Sequence, residues 1–260
     1  MESQEVRDII SKIAAKLGCD IVVNTQDWGL QLLSESLPFD LYLGTSSISE
    51  SSNTSIKPHI WINPEQFKRE ETKLLNRLLV LAGKAKKVFA RQTVLARIDK
   101  KVAMDFQKEH HLQVPLPGKY RYGLFWNGEL VSVAIFSAGR RMHNRGEDYR
   151  SFELLRFCHK GDLLVIGGLS KLLKGFTTDF RPNDIMTYVD MDWSQSSSLE
   201  VVGFKELERR AGQEYWITED QQYLIPDEDK REELKKNFSE GYLHVNSGSI
   251  KMLLLIQKPV

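Results

Sequence analysis

Asn127-Gly128 is the feature of this sequence that most restricts the fold. The pair lies between two runs rich in β-branched and aromatic residues, 122–126 and 130–137. Asn-Gly in this setting is the strongest short-range indication of a two-residue β-hairpin, because both residues tolerate the positive φ angles that the turn requires. An antiparallel pair of strands is therefore expected near the middle of the chain.

Apolar periodicity on both sides of this hairpin predicts an α/β (α+β) protein. Helices are predicted over residues 4–17, 64–82, 99–111, 166–176, 194–202 and 228–237. Strands are predicted over residues 20–23, 39–43, 59–62, 88–98, 151–159, 185–191, 204–217 and 242–256. A Ser-, Thr- and Asn-rich stretch, 45–55, is predicted to be a solvated loop.

The composition is that of an ordinary globular protein. Of the 260 residues, 41% are apolar and 27% are charged, and the formal net charge is +1. A charge this small excludes a whole-molecule field that would attract nucleic acid or a membrane, so such partners need local patches. The first residues do not resemble a signal segment, and the aliphatic run 252–256 is too short to span a bilayer. With two cysteines and no zinc-like spacing, we expect a cytoplasmic protein without a metal.

A domain boundary is predicted after the helix that begins at Asn63-Pro64. Asn63 can cap this helix, Pro64 suits its first turn, and Gly83 can end it. Three lysines follow within residues 84–87, and we interpret them as a basic hinge. The prediction is a small N-terminal α/β segment, 1–87, followed by a larger domain, 88–260.

From residue 88 onward, the order of predicted strands and helices resembles the GNAT acyltransferase fold. Two local motifs support the resemblance: a Gly-Gly helix entry within 165–173, and 198–204, which ends in Gly-Phe before a strand. The resemblance implies a mixed, mostly antiparallel sheet flanked by helices, with acyl-CoA such as acetyl-CoA held at the glycine-entered helix. The cofactor-binding residues that it implies are Ile166, Gly167, Gly168, Leu169, Ser170 and Lys171.

The glycine motif departs from the family pattern and has two interpretations. The family has a basic residue and then two glycines separated by one residue, whereas Gly167 and Gly168 are adjacent. Backbone N–H groups at a glycine-entered helix can bind a phosphate, helped by the positive end of the helix dipole. Alternatively, two glycines can simply permit tight packing of the helix on the sheet.

A closer resemblance covers about residues 58–258. Segments 59–61, 81–91, 153–158 and 188–194 resemble phage and mobile-element proteins in which a Vsr-like nuclease region precedes a GNAT-like domain related to the phage Mom DNA-modification proteins. A nuclease of that type needs a strand Asp and a following Glu-x-Lys to hold a metal ion. Asp40 could be the Asp, but no Glu-x-Lys follows. We therefore predict an inactive nuclease-like region and interpret Asp40 as an ordinary strand-edge carboxylate.

Acyl transfer needs a base, and often an acid that protonates the thiolate leaving group. Glu153 lies on the predicted strand that often supplies the base in this fold, although Arg156 is expected to be its ion-pair partner. The family's usual acidic Tyr is replaced by Leu199. Three residues at alternating positions are predicted to share one strand face and are substitutes for that Tyr, or else solvated strand-end residues: Tyr188, Asp190 and Asp192.

Four arginines crowd the loop before the Glu153 strand: Arg140, Arg141, Arg145 and Arg150. In the GNAT arrangement this loop approaches the acceptor, and the arginines suit phosphate contacts, with Tyr149 or Trp193 as candidates for stacking on a base. The other interpretation is solvated surface, since Glu147 and Asp148 reduce the local charge.

Three functional hypotheses follow from these residues. The first is an acyl-CoA-dependent N-acyltransferase whose acceptor is open, with nucleic acid as one candidate. The second is a GNAT-shaped DNA-binding module without catalysis, which Leu199 favours. The third is an inactive nuclease accessory of a mobile element. No membrane partner is expected, and the sequence leaves the oligomeric state open.

Overall fold

The computed structural model describes residues 4–44, 57–193, 198–218 and 222–256, so the loop predicted over 45–55 lies outside the described residues. In these ranges no helix has the length and apolar character needed to cross a bilayer. Nor do His, Cys, Asp and Glu side chains of these ranges form a cluster that would hold a metal ion.

The described ranges contain six α-helices and seventeen strands. The helices are α1 Gln4–Leu17, α2 Pro64–Leu81, α3 Lys100–His110, α4 Gly168–Phe180, α5 Ser198–Val201 and α6 Glu228–Asn237. The strands of the first half are β1 Val22–Gln26, β2 Gly29–Leu33, β3 Asp40–Leu43, β4 His59–Ile62, β5 Lys86–Phe89, β6 Val94–Arg97, β7 Tyr120–Trp126 and β8 Glu129–Phe136. Those of the second half are β9 Arg140–Arg141, β10 Arg150–His159, β11 Leu163–Ile166, β12 Asp184–Asp190, β13 Lys205–Arg210, β14 Glu214–Ile217, β15 Gln222–Ile225, β16 Tyr242–Val245 and β17 Ser249–Leu255.

The chain forms two compact units, and neither is continuous in sequence. The first unit contains Met1–Ala82, Val189–Gln195 and Arg209–Ile250. The second contains Gly83–Tyr188, Ser196–Glu208 and Lys251–Val260. The first division lies near the predicted boundary at residues 87 and 88, but the later crossings were not predicted. The lysines interpreted as a hinge partly belong to β5, which pairs in parallel with β11.

The first unit combines two small sheets. The order of one is β1-β2-β3-β4, and that of the other is β15-β14-β16. Hydrogen bonds join its early and late segments: Arg69 Nη1 donates to the Thr218 carbonyl at 2.9 Å, and the Tyr242 hydroxyl donates to Asn63 Oδ1 at 2.8 Å. The cap predicted at Asn63 is confirmed, since Oδ1 also accepts from the N–H groups of Glu65 and Gln66.

The second unit contains the hairpin predicted from Asn127-Gly128. β7 and β8 pair antiparallel on either side of the turn, and φ is 49° at Asn127 and 80° at Gly128. Positive φ at both residues is the type I′ geometry, whose twist matches that of the strands. The hairpin belongs to an eight-stranded sheet of order β13-β17-β12-β10-β8-β7-β6, with β9 paired to β10.

Aromatic rings hold α4 on this sheet. The ring of Phe176 stacks on Phe136 with centroids 3.9 Å apart and meets Phe152 edge-on at 5.1 Å. All three side chains are buried. Removing such a ring leaves a cavity, so Phe176→Ala is expected to lower the free energy of unfolding by about 3–5 kcal/mol.

The predicted fold class, a mixed and mostly antiparallel sheet flanked by helices, is confirmed. Two long predicted strands, 204–217 and 242–256, are each divided in the structure. Their backbones approach closely at glycines: a Cβ on Gly212 would lie 2.1 Å from the Asn246 carbonyl oxygen, and one on Gly248 would lie 2.1 Å from that of Arg210. Gly248 also has φ of 94°, so the chain turns there instead of continuing as one strand.

Deleting residues 1–87 tests the interdependence of the segments of the first unit. The deletion removes Asn63 and Arg69, the partners of Tyr242 and Thr218, so we expect amides in 209–250 to lose protection from hydrogen exchange. The β7–β8 hairpin should keep its protection, because its strand partners remain. Exchange measured by mass spectrometry compares the two regions. Unchanged protection over 214–245 would contradict this prediction.

Candidate functional site

The two glycines before α4 have different structural roles. Gly167 is the N-cap residue and has φ of 76°, a conformation that L side chains rarely adopt. Gly168 lies against the strand before it, since a Cβ there would be 3.1 Å from Val165 Cβ and 3.3 Å from His159 Cε1. The packing interpretation therefore applies to Gly168, whereas Gly167 makes the turn.

This turn leaves the first N–H groups of α4 without helical acceptors. The first helical hydrogen bond runs from Lys171 N to Gly167 O at 3.1 Å. The N–H groups of Gly168, Leu169 and Ser170 precede it, so they have no acceptor within the helix and form its positive end. Ile166, Gly167 and Ser170 are exposed, whereas Gly168 and Leu169 are buried.

Lys171 does not face this turn. Its Nζ donates to the Ala90 carbonyl at 2.8 Å, to the Thr93 carbonyl, and to Thr93 Oγ1 at 3.4 Å. Lys171 therefore joins α4 to the turn that follows β5. Of the residues predicted to bind the cofactor, Lys171 is the one whose side chain already has other partners.

A second group of residues lies beside the turn, and sequence reasoning missed it. Phe89 is 43% exposed and is the register partner of Ile166 across the parallel β5–β11 ladder. The Arg91 guanidinium lies over the Phe89 ring, 4.9 Å from its centroid. An apolar surface with one cation therefore adjoins Gly167. The Phe-Ala-Arg segment, 89–91, is the one sequence feature that could have indicated this group. Its position beside Gly167 depends on pairing with β11, which is distant in sequence.

Strands β10 and β12 pair in parallel over only three residues. The register is Ser151 with Asp184 through Glu153 with Met186. The next link is a side chain, since Thr187 Oγ1 donates to the Leu154 carbonyl at 2.8 Å. On its other side, β10 shifts register against β8 between Leu154 and Arg156, as a β-bulge does.

Glu153 lies where this ladder ends. Its backbone exchanges hydrogen bonds with Ser137: Glu153 N donates to Ser137 Oγ, and Ser137 N donates to Glu153 O, both at 2.9 Å. The ion pair predicted with Arg156 is wrong. The Arg156 guanidinium donates to the Val114 and Leu155 carbonyls, and its burial lowers its pKa although the charge of Glu153 opposes this shift. The Glu153 side chain is half-buried.

Tyr188 and Asp190 lie at alternating positions of one strand, β12, whereas Asp192 lies beyond the end of that strand. β12 ends at Asp190, and Asp192 lies in the following turn, where its N–H donates to Asp190 Oδ1 at 3.0 Å. Tyr188 belongs to the second unit, whereas Asp190 and Asp192 belong to the first. The shared catalytic face of all three therefore stays a prediction without support from strand geometry.

Asp192 is a buried carboxylate, so its interpretation as a solvated strand-end residue is wrong. Its Oδ1 accepts from Ser247 N at 3.0 Å, and its carbonyl accepts from Trp61 N at 3.0 Å. Burial raises the pKa of Asp192, and the hydrogen bonds from Ser247 and the charges of His244 and His59 oppose the rise. Sequence reasoning missed these histidines, because they are far from Asp192 in sequence.

Asp40 is also buried, and its interpretation as a strand-edge residue is wrong. It begins β3, which lies between β2 and β4, and its register partner on β4 is His59. Its N–H donates to the Pro58 carbonyl at 2.9 Å. The strand beside Asp40 therefore presents His-Ile-Trp-Ile and not the Glu-x-Lys of a metal-dependent nuclease.

The predicted turn after α5 is present. Gly203 has φ of 98°, and Phe204 N donates to the Leu199 carbonyl at 3.0 Å. Phe204 is buried. The Gly-Phe turn predicted within 198–204 is therefore formed, and the Leu199 side chain offers no hydroxyl.

A buried carboxylate, Asp184, orders the arginine loop. It accepts from the Tyr149 hydroxyl at 2.7 Å and from Ser151 Oγ, and Arg145 Nη1 lies 3.5 Å away. Arg145 also lies over the Tyr149 ring, 5.5 Å from its centroid, so both side chains already have partners. Sequence reasoning grouped Arg145 with the other arginines and missed Asp184. All four loop arginines are exposed, and within the described ranges three of them form no hydrogen bond or salt bridge with Asp184: Arg140, Arg141 and Arg150.

Comparison with known proteins found similar shapes only. No protein-family profile and no curated protein sequence matches the chain. It is similar in structure to a ribosomal-protein N-acetyltransferase from Escherichia coli, with 13% identity, a TM-score of 0.41, and coverage of 65% of this chain and 96% of that one. It is also similar to Ard1 from Thermoplasma volcanium, with 11% identity, a TM-score of 0.41, and coverage of 64% and 99%.

A third similar structure is a GNAT family acetyltransferase from Elizabethkingia anophelis, solved with acetyl-CoA bound. Its identity to this chain is 10% and its TM-score 0.35, and the match covers 64% of this chain and 99% of that one. About a third of this chain therefore lies outside each of these matches. Each match covers nearly the whole of the other chain and about two thirds of this one.

The raised pKa of Asp192 gives stability a predictable dependence on pH. The folded state holds the proton more tightly than the unfolded chain, whose Asp pKa is about 3.9. The free energy of unfolding should therefore fall as pH rises from about 4 through the raised pKa. Asp192→Asn keeps an acceptor for Ser247 N and should remove this part of the fall, as measured by urea unfolding from pH 4 to 8.

Asp190→Asn is the matched control, because it removes one carboxylate from the same segment and should leave the pH dependence in place. A tenfold change in proton affinity between the folded and unfolded states corresponds to about 1.4 kcal/mol in the free energy of unfolding. If Asp192→Asn were less stable than the parent at pH 8 and kept the parent's pH slope, the histidines would outweigh burial, and the prediction would be wrong.

Proposed function

We propose that the second unit is an acyl-CoA-dependent N-acyltransferase of the GNAT type. The observation that carries the proposal is the start of α4, where an exposed, left-handed Gly167 leaves three N–H groups without helical acceptors. Such a terminus suits a pyrophosphate, whose charge the helix dipole favours. Arg91 and the exposed Phe89 ring beside it suit the rest of a nucleotide, and Arg91 replaces the basic residue that the glycine motif lacks.

The short β10–β12 ladder supports binding of the acyl end of acyl-CoA between these two strands. Backbone pairing stops at Glu153 and Met186, so the strands need not stay in contact toward the end of β10 that leads to Gly167. A family resemblance implies that acyl-CoA enters such a sheet between two splayed strands. The amine nitrogen of the acceptor then bonds to the acyl carbon, the carbon–sulfur bond breaks, a base takes the nitrogen's proton, and the thiolate of CoA takes a proton.

Glu153 is the base that we favour. Its backbone is held by Ser137 at the end of the ladder, and its side chain is only half-buried. Asp190 and Asp192 belong to the first unit and are not part of this proposal, and the Asp192 carboxylate already accepts from Ser247. Tyr188, in the second unit, is the candidate for protonating the thiolate, since Leu199 has no hydroxyl.

Nucleic acid is the acceptor class that the arginine loop supports. The closer sequence resemblance is to phage and mobile-element proteins that carry a Mom-like domain. It implies that the acceptor is DNA and that the reaction modifies it. A cytoplasmic location fits the proposal, and so does the absence of a disulfide between Cys19 and Cys158.

A second candidate function is a GNAT-shaped DNA-binding module without chemistry. Leu199 at the acid position favours it. Asp40, buried beside His59 without a neighbouring Glu-x-Lys, favours an inactive nuclease-like accessory in the first unit. Both alternatives require no acyl-CoA, so ligand binding separates them from the enzyme.

Acetyl-CoA should stabilise the protein if its pyrophosphate binds at α4. Ligand at a hundred times its dissociation constant adds about 2.7 kcal/mol. The melting temperature should then rise by about 5–10 °C, at roughly 2–4 °C per kcal/mol for this size. A thermal melt with acetyl-CoA, and with CoA alone, measures the shift.

Ser170→Asp is the variant that tests the location. Ser170 is exposed in the first turn of α4, where a carboxylate favours the helix but repels a phosphate. The variant should therefore fold at least as stably as the parent and lose the shift, while Ser170→Asn should keep it. Absence of a shift in the parent protein would overturn the enzyme and leave the binding module.

A further inference from the structure

Two arginines stand directly opposite each other where β9 meets β10. The register is Arg141 with Arg150, and Arg140 with Ser151. Directly opposed side chains on antiparallel strands have Cβ atoms about 4.5–5.5 Å apart, and like charges in this arrangement repel. The Arg150 guanidinium lies over the Phe152 ring, 5.2 Å from its centroid, and both arginines remain exposed. An anion that contacts both side chains would offset the repulsion between them.

The acids around this pair are directed elsewhere or form no ion pair with it. Asp184 is engaged by Tyr149, Ser151 and Arg145. Glu147 and Asp148 are exposed on the loop, and within the described ranges neither forms a salt bridge with Arg140, Arg141 or Arg150.

A third observation places a strained arginine at the same corner. Arg181, just after α4, is exposed and has φ of 45°, a left-handed conformation in which Gly or Asn is the usual residue. Two residues later, Asn183 holds Arg150: Arg150 N donates to Asn183 Oδ1 at 2.8 Å, and Asn183 N donates to Arg150 O at 2.9 Å. The nearest acid along the chain, Asp179, pairs with Arg97 at 3.1 Å.

We propose that this arginine corner, made of Arg140, Arg141, Arg150 and Arg181, binds the phosphodiester backbone of a nucleic acid. Arg145 is excluded from the contact set and instead acts as a positioning residue through Asp184 and Tyr149. The inference rests on the nucleic-acid acceptor of the proposed function and deepens it. It assigns the contacts to a set that sequence reasoning did not define, with Arg181 added and Arg145 removed.

The chemistry of the corner favours phosphate over a lipid surface. Guanidinium groups bind phosphate oxygens in pairs and remain charged at any physiological pH. The exposed side chains of 139–150 are polar or charged, so the loop lacks the apolar groups that interfacial segments insert. α4 is about 20 Å long, and Arg181 follows the end opposite to Gly167. A strand bound at the corner would therefore leave the start of α4 clear.

Binding of a fluorescent 20-base DNA duplex, its single strand and the matching RNA by the full chain tests the proposal. The double variant Arg141→Ala/Arg150→Ala should lower the slope of log affinity against log salt by nearly two units. Over the decade from 0.1 to 1 M salt, a difference in slope of about 0.9 amounts to a roughly eightfold difference in affinity. Each lost arginine should therefore weaken binding about eightfold at 0.1 M salt, relative to binding at 1 M salt. The arm with the tightest binding identifies the form of nucleic acid that is recognised.

Lys100→Ala/Lys101→Ala is the matched control. It removes the same net charge from exposed positions of α3 in the same unit, so its binding should equal that of the parent. Equal losses in both double variants would mean attraction by overall charge and would overturn the corner. So would failure of the parent to bind any of the three probes at low salt.

Arg181→Gly separates binding from folding. Glycine relieves the left-handed strain, so the melting temperature should rise while affinity falls by about the same factor as for one lost contact. A rise without a loss of affinity removes Arg181 from the site. The acetyl-CoA shift should be unchanged in all these variants. A parent protein that shows the shift but binds none of the three probes would contradict the corner and leave the acyltransferase proposal standing.

Discussion

Three residues of β10 pair in parallel with three of β12, and side chains close this short ladder at both ends. At its start, Ser151 donates to the buried Asp184 opposite it, and Tyr149 donates to the same carboxylate. At its end, Thr187 donates to the Leu154 carbonyl. Parallel pairing requires a long crossover between the strands, and here that crossover contains α4. The ladder thus constrains the helix on which both proposed sites depend.

Each end of α4 has a distinct electrostatic character because of how it is joined to the sheet. At the start, Gly167 turns the chain without a capping side chain and leaves three N–H groups without helical acceptors, while Lys171 donates to the Ala90 and Thr93 carbonyls of the turn after β5. At the end, Arg181 adopts a left-handed conformation, and Asn183 attaches the chain to β10. Phe176, between them, holds the helix against the sheet. Packing at the centre leaves the two ends available for ligands.

Buried acids have different consequences in the two units. In the second unit, Asp184 is surrounded by donors and orders the loop that precedes β10. In the first, Asp192 has one backbone donor and two nearby histidines, and burial dominates its pKa. In the sequence, both residues are aspartates in a strand-rich region, and nothing local distinguishes them. Their neighbours in the folded chain decide that Asp184 holds a loop and that protonation of Asp192 affects stability.

Short-range signals in the sequence determined the β7–β8 hairpin, the cap at Asn63, the glycine entry to α4 and the class of the fold, because each depends on the conformational preferences of a few adjacent residues. The tertiary structure alone decided which residues meet. It placed Lys171 on the turn after β5, brought Arg145 to Asp184 and Tyr149, paired Arg141 with Arg150, and returned 209–250 to the first unit. These outcomes depend on strand register and on contacts between distant segments, which the local pattern of residues does not specify.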